Sequence, residues 1–380
     1  MNSRVVLYGA VRGFMKNLLQ VAAEDFDDVF DKSKTYNKKT RFSTLKTRVN
    51  ETRILDFLGF IQKLRYDYDN ELPEIIVVMN RFLTLRSKNK KYIIYLENPY
   101  ALFHYRLNRI NFFNRSSINK YLADDHLFKI VCWSHCCERE FKHLLRRERL
   151  YVDERKIMTL YPPEKIEKTN VISRSDNLSV LMIVQGPRFL SKSGLEFIRL
   201  AELLPRVNFT LVSHYVDVNK YVDVDNIPNL TFQEFNLSFN EVQKLYLEHH
   251  LLFHVSRDDS FGLVVYEALR NGMVVIGSNI YAIKEMLYGA YQDNYNIVPV
   301  RDALFTHDSI NRDVWRNRKL LRTKIIDSEI VDKVKLKIIE YSSDLEMYKE
   351  YSEKGRLWVQ SRNSNTKWKE LLNDAFTHMP

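Results

Sequence analysis

The chain has 380 residues, more than one compact core of ordinary size accommodates, so two domains are expected. Hydrophobic residues make up 45% of it and aromatic residues 13%, which excludes a chain that is disordered throughout. The net charge of +10 is uneven, because residues 1–163 hold 30 Lys and Arg against 19 Asp and Glu, whereas the remainder holds 28 against 29.

The basic first half suits an anionic partner, such as a membrane surface, a phosphorylated acceptor or nucleic acid. An ordinary solvated surface is the open alternative. The cations lack an ordered aromatic platform or a readable motif, so nucleic acid is the least favoured partner and none is expected. Residues 31–53 are rich in Lys, Thr, Arg and Asn, which predicts a long partner-contacting loop.

The cysteines and the apolar runs of the sequence indicate the cellular compartment of the protein. The cysteines Cys132, Cys136 and Cys137 lie within six residues, a poor arrangement for a disulfide, and no second cluster completes a zinc site. The first apolar run is too short for a signal peptide, and no run approaches the ~20 residues of a membrane span. A cytoplasmic protein, soluble or peripheral to a membrane, is therefore expected.

The first half alternates predicted strands with helices. Short buried strands are predicted at 5–8, 75–79, 92–96, 128–133 and 157–160. Helical patterns occupy 14–23 and 53–64, most of 100–121, and the residues that follow a Ser134 N-cap through Arg147. This alternation argues for a parallel, doubly wound sheet. The turn after the first strand contains Gly9 and Gly13, which do not complete a dinucleotide-binding fingerprint.

The polar residues 164–177 are predicted to form a linker, after which the α/β pattern restarts. Strands are expected at 178–184, 209–213, 230–232, 274–277 and 297–300, with a further strand at the start of the stretch that opens at Phe253. Helices are expected at 195–204 and 241–248, then one that starts at Phe261 and Gly262, with three more within 329–378. A polar loop, 185–194, follows the first of these strands and carries two cations, Arg188 and Lys192.

Two carboxylates, Asp259 and Glu267, flank a turn at Phe261 and Gly262 that opens a helix. In a parallel sheet this turn lies at the carboxyl edge, where α/β folds bind ligands. Arg188 and Lys192 suit a diphosphate, and Glu267, two turns inside the helix, suits the hydroxyls of a ribose. The pattern predicts a site for a nucleoside diphosphate that carries a hydroxyl-rich group. The alternatives are a solvated helix carboxylate for Glu267 and an N-cap for Asp259.

Asp223-Val224-Asp225 has the spacing found in metal-dependent transferases. It lies in a polar loop before Pro228, so a structural or solvated role is the favoured interpretation.

Residues 255–268, followed in register by Gly272, Val274, Val275 and Ile276, resemble a known signature. It belongs to the retaining, nucleotide-sugar-dependent glycosyltransferases of the GT-B fold that carry an E-x7-E motif (glycosyltransferase family 4). The loop 186–194 is similar to the cationic loop of that family, Tyr161-Pro162-Pro163 to the turn that ends its first domain, and the helix with Trp368 to its closing helices. The resemblance is clear over 178–300 and 361–375 and weaker over 1–163.

Four features of the sequence depart from the family pattern. The first acid is Asp259 rather than Glu, which shortens its reach by one methylene. Arg188 lies one residue later than the family's phosphate-binding arginine, whereas Lys192 keeps its place. Glu97 stands where the family often has His, with His104 seven residues on, and a family Gly pair is replaced by Tyr281-Ala282.

The resemblance implies an α/β fold of two Rossmann-like, doubly wound domains that face a cleft (GT-B). The implied divisions are an acceptor-binding domain at 1–163, the linker 164–177, a nucleotide-sugar-binding domain at 178–360 and a C-terminal helix, 361–380, that crosses back to the first domain.

The resemblance also implies residue roles. Asp259 would contact the donor sugar, with Lys192 and Arg188 stabilising the leaving diphosphate, and these are the expected catalytic residues. Donor binding is expected of Glu267, Ser260, Phe261, Gly262, Leu263, Gly186 and Ser213. Acceptor-side contacts are expected of Gly9, Arg12, Glu97 and His104.

The implied activity is a retaining transfer of a hexosyl or related group in glycan biosynthesis (EC 2.4). The donor would be a UDP- or GDP-linked sugar, with no metal and no cofactor, and the acceptor a carbohydrate, a lipid-linked molecule or a protein. Peripheral contact with an anionic membrane is a further expectation. The departures from the family pattern motivate one alternative, a catalytically inactive GT-B protein that serves in binding or assembly.

Overall fold

The computed structural model describes residues 4–9, 15–26, 28–32, 63–66, 72–103, 105, 109–164, 177–306, 309–322 and 324–379. The chain divides into two compact units, one formed by Met1–Lys168 with Asn363–Pro380 and the other by Thr169–Arg362.

The first unit is built on a parallel sheet of six strands in the order β2-β1-β4-β6-β7-β8. Its strands are β1 (Arg4–Tyr8), β2 (Asp28–Asp31), β4 (Glu74–Met79), β6 (Lys90–Leu96), β7 (Leu127–Cys132) and β8 (Ile157–Thr159). A small parallel pair is formed by β3 (Lys63–Arg65) and β5 (Phe82–Thr84). The helices are α1 (Lys16–Ala22), α2 (Phe112–Leu122), α3 (His135–Arg147) and the C-terminal helix, which we call α12 (Ser364–Thr377).

The second unit repeats this plan with strand order β11-β10-β9-β12-β13-β14, again wholly parallel. Its strands are β9 (Ser179–Ile183), β10 (Asn208–Ser213), β11 (Leu230–Glu234), β12 (Leu251–His254), β13 (Val274–Ser278) and β14 (Ile297–Val298). The helices are α4 (Gly194–Leu203), α5 (Tyr215–Val218), α6 (Phe239–Glu248), α7 (Leu263–Arg270), α8 (Tyr281–Tyr291), α9 (Arg312–Arg316), α10 (Ser328–Ser343) and α11 (Leu345–Arg362).

The predicted α/β class with parallel sheets is confirmed in both units. The Ser134 N-cap is confirmed as well, since its side chain accepts a hydrogen bond from the N–H of Cys137. The helix predicted at 53–64 is wrong at its end, because Lys63–Arg65 pairs with β5 as a strand; its earlier residues lie outside the described ranges. Most of the predicted loop 31–53 lies outside them too. Within the described residues, no helix is both long enough and apolar enough to cross a membrane.

Helix α12 is part of the first unit's core. The Trp368 indole is fully buried, packs edge-on against Tyr95 with ring centroids 4.9 Å apart, and donates from Nε1 to the Tyr161 carbonyl at 3.2 Å. The same helix packs against α1, and its Phe376 packs against Phe26, four residues after the end of α1. The last helix of the chain therefore closes the unit that contains the first strand.

We expect Trp368→Ala to destabilise the first unit by about 3–5 kcal/mol, because it removes a buried ring and leaves a cavity beside Tyr95. Urea denaturation followed by circular dichroism measures this loss. The control is Lys367→Ala at the exposed neighbouring position, which should change the unfolding free energy by no more than about 0.5 kcal/mol. Equal midpoints for the two variants would contradict a core role for Trp368.

Candidate active site

The loops that follow β9, β10, β12 and β13 all leave the second sheet at its carboxyl edge, because the strands are parallel. Such edges are where open α/β sheets bind ligands. Most of the donor-side residues predicted from the sequence lie on these loops.

The loop after β9 makes two short 3-10 turns, Gly186–Arg188 and Leu190–Lys192, before α4 begins at Gly194. The Gly194 backbone is pressed against the Phe189 ring, where an added Cβ would come within 2.2 Å of the ring. Gly186 donates its N–H to His214 Nδ1 at 3.0 Å, which ties this loop to the end of β10. Close packing thus fixes the path of the loop that carries both predicted cations.

The loop after β12 turns at Gly262, whose φ of +77° is a conformation that favours glycine. Gly262 is the residue before the helix, and α7 begins at Leu263. The predicted helix start at Phe261 and Gly262 is therefore slightly early, since a left-handed residue cannot belong to a right-handed helix. Glu267 is the fifth residue of α7, so it lies one turn inside the helix and not two.

Asp259 is held by two donors on a single oxygen. Its Oδ2 forms an ion pair with Lys192 Nζ and accepts a hydrogen bond from His254 Nε2 at 2.6 Å. All three side chains are nearly buried. Burial alone would raise the pKa of the Asp259 carboxyl, but the Lys192 charge and the His254 hydrogen bond outweigh it and hold the pKa well below its usual range. The N-cap alternative for Asp259 is wrong, because the residue at the N-cap position of α7 is Gly262.

Asp258 connects the two loops. Its carboxylate accepts a hydrogen bond from Ser191 Oγ at 2.9 Å and lies 3.6 Å from Lys192 Nζ. Arg188 Nε is 4.0 Å from the same carboxylate, and the Arg188 side chain is 53% exposed. Both Arg188 and Lys192 therefore lie within 4.0 Å of the Asp258 carboxylate, although Arg188 stands one residue later than the arginine of the family pattern.

Glu267 lies on α7, the helix that follows the loop of Asp258 and Asp259. Tyr246, on α6, donates its hydroxyl to Glu267 Oε2 at 2.8 Å. Burial raises the pKa of Glu267, and the Tyr246 hydrogen bond and the Arg270 charge offset only part of this effect. The alternative of a freely solvated helix carboxylate is therefore wrong.

The remaining donor-side predictions fall at the same edge. Ser213 ends β10, and its Oγ is buried without a hydrogen-bond partner among the described residues. Ser260 and Phe261 are buried within the turn, and Leu263 at the start of α7 is half-buried. Ser213 is thus the predicted residue with a hydroxyl most clearly left for another group.

The acceptor-side predictions lie in the first unit. Gly9, with φ of +87°, follows β1, and Glu97 follows β6 and is buried. These strands flank β4, so both residues lie at the carboxyl edge of the first sheet. Arg12 and His104 lie outside the described residues.

The Asp223-Val224-Asp225 stretch is engaged in local structure. Asp223 accepts a hydrogen bond from the N–H of Asp225 at 3.3 Å, and Asp225 accepts one from the Tyr215 hydroxyl at 2.6 Å. No group of three or more His, Cys, Asp or Glu side chains in the described part of the chain is arranged to hold a metal ion.

Three site residues were missed by sequence reasoning. His254 and Asp258 lie within the stretch that carries Asp259, and the position of His254 at the end of β12, five residues before Asp259, was an available signal. No signal in the sequence pointed to Tyr246, because it lies on another helix, 21 residues before Glu267 in the chain.

Comparisons with known proteins bear on the family and on the fold. Residues 225–311 match the family described as "Glycosyl transferases group 1". No curated protein sequence matches the chain.

Similar solved structures cover most of the chain. HepE from Anabaena, in complex with UDP-glucose, aligns with a TM-score of 0.56 and 12% identity over 99% of both chains. An E. coli structure described as trehalose-6-phosphate bound with UDP-2-fluoro glucose aligns with a TM-score of 0.55 and 11% identity over 98% of this chain and 99% of that one. TarM aligns with a TM-score of 0.52 and 14% identity over 80% of this chain, and the match spans only 54% of TarM.

At these identities the solved structures establish the fold alone, which is the GT-B fold of two Rossmann-like domains. The match over 225–311 covers Asp259 and Glu267. Together, the family match and the fold support a GT-B glycosyltransferase.

Proposed function

We propose that this chain transfers a hexosyl or related group from a UDP- or GDP-linked sugar to an acceptor hydroxyl, with retention of anomeric configuration. The observation that carries the proposal is the ion pair between Lys192 and Asp259 at the carboxyl edge of the second sheet, where Asp259 precedes the helix that carries Glu267. The cation for a diphosphate and the carboxylate for a sugar lie on two loops at this edge, and the carboxylate for a ribose lies on α7, which follows the second of these loops.

The chemistry follows from where charge develops. As the bond between the sugar C1 and the diphosphate oxygen breaks, negative charge grows on the leaving diphosphate. Lys192, Arg188 and the first N–H groups of α7 would stabilise that charge. The acceptor oxygen would form the new bond to C1 as its proton passes to the departing diphosphate oxygen. Because the chain's own cations supply the positive charge, no metal ion enters the proposal.

The ion pair must rearrange for this to happen. Without a ligand, the Lys192 ammonium is balanced by Asp259 and by Asp258 at 3.6 Å. An incoming diphosphate would compete for that ammonium and free Asp259 to accept hydrogen bonds from the donor sugar. His254 would keep the Asp259 carboxylate oriented during the exchange.

The first unit supplies the acceptor side of the proposal, through Gly9, Glu97, Arg12 and His104. A role in glycan biosynthesis at the cytoplasmic face of a membrane would fit the positive charge of residues 1–163. The acceptor would be a carbohydrate, a lipid-linked molecule or a protein.

One observation favours a second candidate, a catalytically inactive binding or assembly protein. Lys192 and Asp259 already satisfy one another, and Asp259 is one methylene shorter than the family's Glu. If the ion pair never opened, a nucleotide sugar would bind weakly or not at all.

The test is a panel of UDP- and GDP-sugars with released nucleoside diphosphate as the readout, supported by calorimetry and by NMR of the product's anomeric carbon. We expect release with one donor, retention at C1, and unchanged rates in EDTA. Binding without turnover across donors and acceptors would select the inactive candidate. A lack of binding by every nucleotide diphosphate would reject the proposed donor site altogether.

A further inference from the structure

The positive charge of the chain is not confined to its first half. Residues 312–326 contain one acid, Asp313, and six cations: Arg312, Arg316, Arg318, Lys319, Arg322 and Lys324. This segment carries +5, although residues 164–380 as a whole carry −1. We call residues 312–326 the basic segment.

The described residues of the basic segment before Thr323 follow a defined backbone path. It begins with α9, which Asn311 caps by accepting hydrogen bonds from the N–H groups of Asp313 and Val314. It continues through a 3-10 turn, Arg318–Arg322. The side chains of Val314 and Leu321 are buried and hold the basic segment against the second unit. Just beyond its end, Asp327 donates its N–H to Glu196 on α4 at 3.3 Å.

Its outer side combines charge with apolar surface. All six cations are exposed. Three aliphatic side chains are exposed among them, Leu320 at 39%, Ile325 at 79% and Ile326 at 41%. Branched aliphatic side chains in water carry an unfavourable hydration free energy, and here they stand within a strongly cationic surface.

This combination fits one kind of partner. At the surface of an anionic bilayer, aliphatic side chains enter the boundary between headgroups and acyl chains while Lys and Arg remain among the headgroup phosphates. A nucleic acid would use the cations but has no place for Leu320, Ile325 or Ile326, and single strands are bound through stacking on aromatic rings. We propose that the basic segment docks the second unit on an anionic lipid surface.

The segment also adjoins the candidate site. Its turn, Arg318–Arg322, packs against the turn Leu190–Lys192, which carries Lys192. Both turns belong to the second unit, so docking through the basic segment would bring the loop of Lys192 close to the bilayer. The proposal does not depend on the activity of that loop.

The test uses the full chain and sedimentation with vesicles of phosphatidylcholine alone or mixed with phosphatidylglycerol. We expect the unchanged protein to sediment with the anionic vesicles only. Each cation near such a surface contributes about fivefold to partitioning, so Lys319→Glu combined with Arg322→Glu should lower it by about 25-fold or more. Ile325→Ser, which leaves the charge unchanged, should also lower partitioning, by about tenfold.

The matched control is Arg206→Glu combined with Lys244→Glu, two exposed cations of the same unit outside the basic segment. This pair changes the net charge equally and should partition as the unchanged protein does. The proposal is overturned if both double variants lose binding equally, if Ile325→Ser has no effect, or if anionic vesicles bind no better than neutral ones. The proposal is also overturned if Lys319→Glu combined with Arg322→Glu abolishes binding to single-stranded RNA but leaves lipid binding intact. That result would assign the basic segment to nucleic acid.

Discussion

Replacing Lys192 by methionine is expected to lower turnover of the preferred nucleotide sugar about a hundred- to a thousandfold, the usual effect of removing one group that stabilises charge in the transition state. Methionine keeps the length and apolar stem of the side chain but removes the ammonium. Most of the loss should appear in kcat, because negative charge on the diphosphate is largest when its bond to the sugar breaks. Steady-state kinetics over a range of donor concentrations separates kcat from KM.

The control is Arg206→Met, which removes a cation at an exposed position of the same unit and should leave both constants unchanged. Removing Lys192 also takes away the cation that does most to lower the pKa of Asp259, so rates should be compared well above the pKa of an ordinary carboxyl. A kcat for Lys192→Met within threefold of the unchanged enzyme would show that this ammonium does not act on the leaving group.

The fold was predictable where its strands are continuous apolar runs. β4 and β12 are buried along their whole length, and such runs bounded by polar turns are typical of parallel sheets. β2 was missed because Asp28 and Asp31 form its ends and none of its residues is buried. β3 was mistaken for helix because Lys63–Arg65 is held by pairing with β5, a contact that no local periodicity reveals.

The candidate site was predictable to the extent that it is local. Lys192, Asp259 and Gly262 each follow a strand, so their placement at one sheet edge follows from the parallel topology. The contacts that set their chemistry were not predictable, because Lys192 meets Asp259 across 67 residues of chain and Tyr246 meets Glu267 from a different helix. The pKa shifts of both acids arise from those contacts and from burial.

Glu267→Gln is expected to weaken binding of the preferred nucleoside diphosphate about 10- to 100-fold, because a hydrogen bond to a charged group contributes about 1.5–3 kcal/mol. The same change should stabilise the folded chain at neutral pH by about 0.5–2 kcal/mol. Both effects have one physical origin. Burial makes the Glu267 carboxylate costly in the free protein, and ribose hydroxyls would compensate that cost only when the nucleotide is bound.

The stability gained by Glu267→Gln should depend on pH. The pKa of Glu267 is raised in the folded chain. Protonated Glu267 therefore contributes to the free energy of unfolding below the unfolded pKa, and this contribution is lost as the pH rises through the raised folded pKa. Glutamine does not titrate, so the gain in thermal midpoint of Glu267→Gln over the unchanged protein should grow as the pH rises through this window and then level off.

Tyr246→Phe is the matched comparison, since it removes the hydroxyl that donates to Glu267 and keeps the ring. It should raise the pKa of Glu267 further and destabilise the free protein, while nucleotide binding falls less than in Glu267→Gln. A Glu267→Gln protein that binds nucleotide as tightly as the unchanged one, yet is more stable, would show that this carboxylate is buried for a reason other than the ribose.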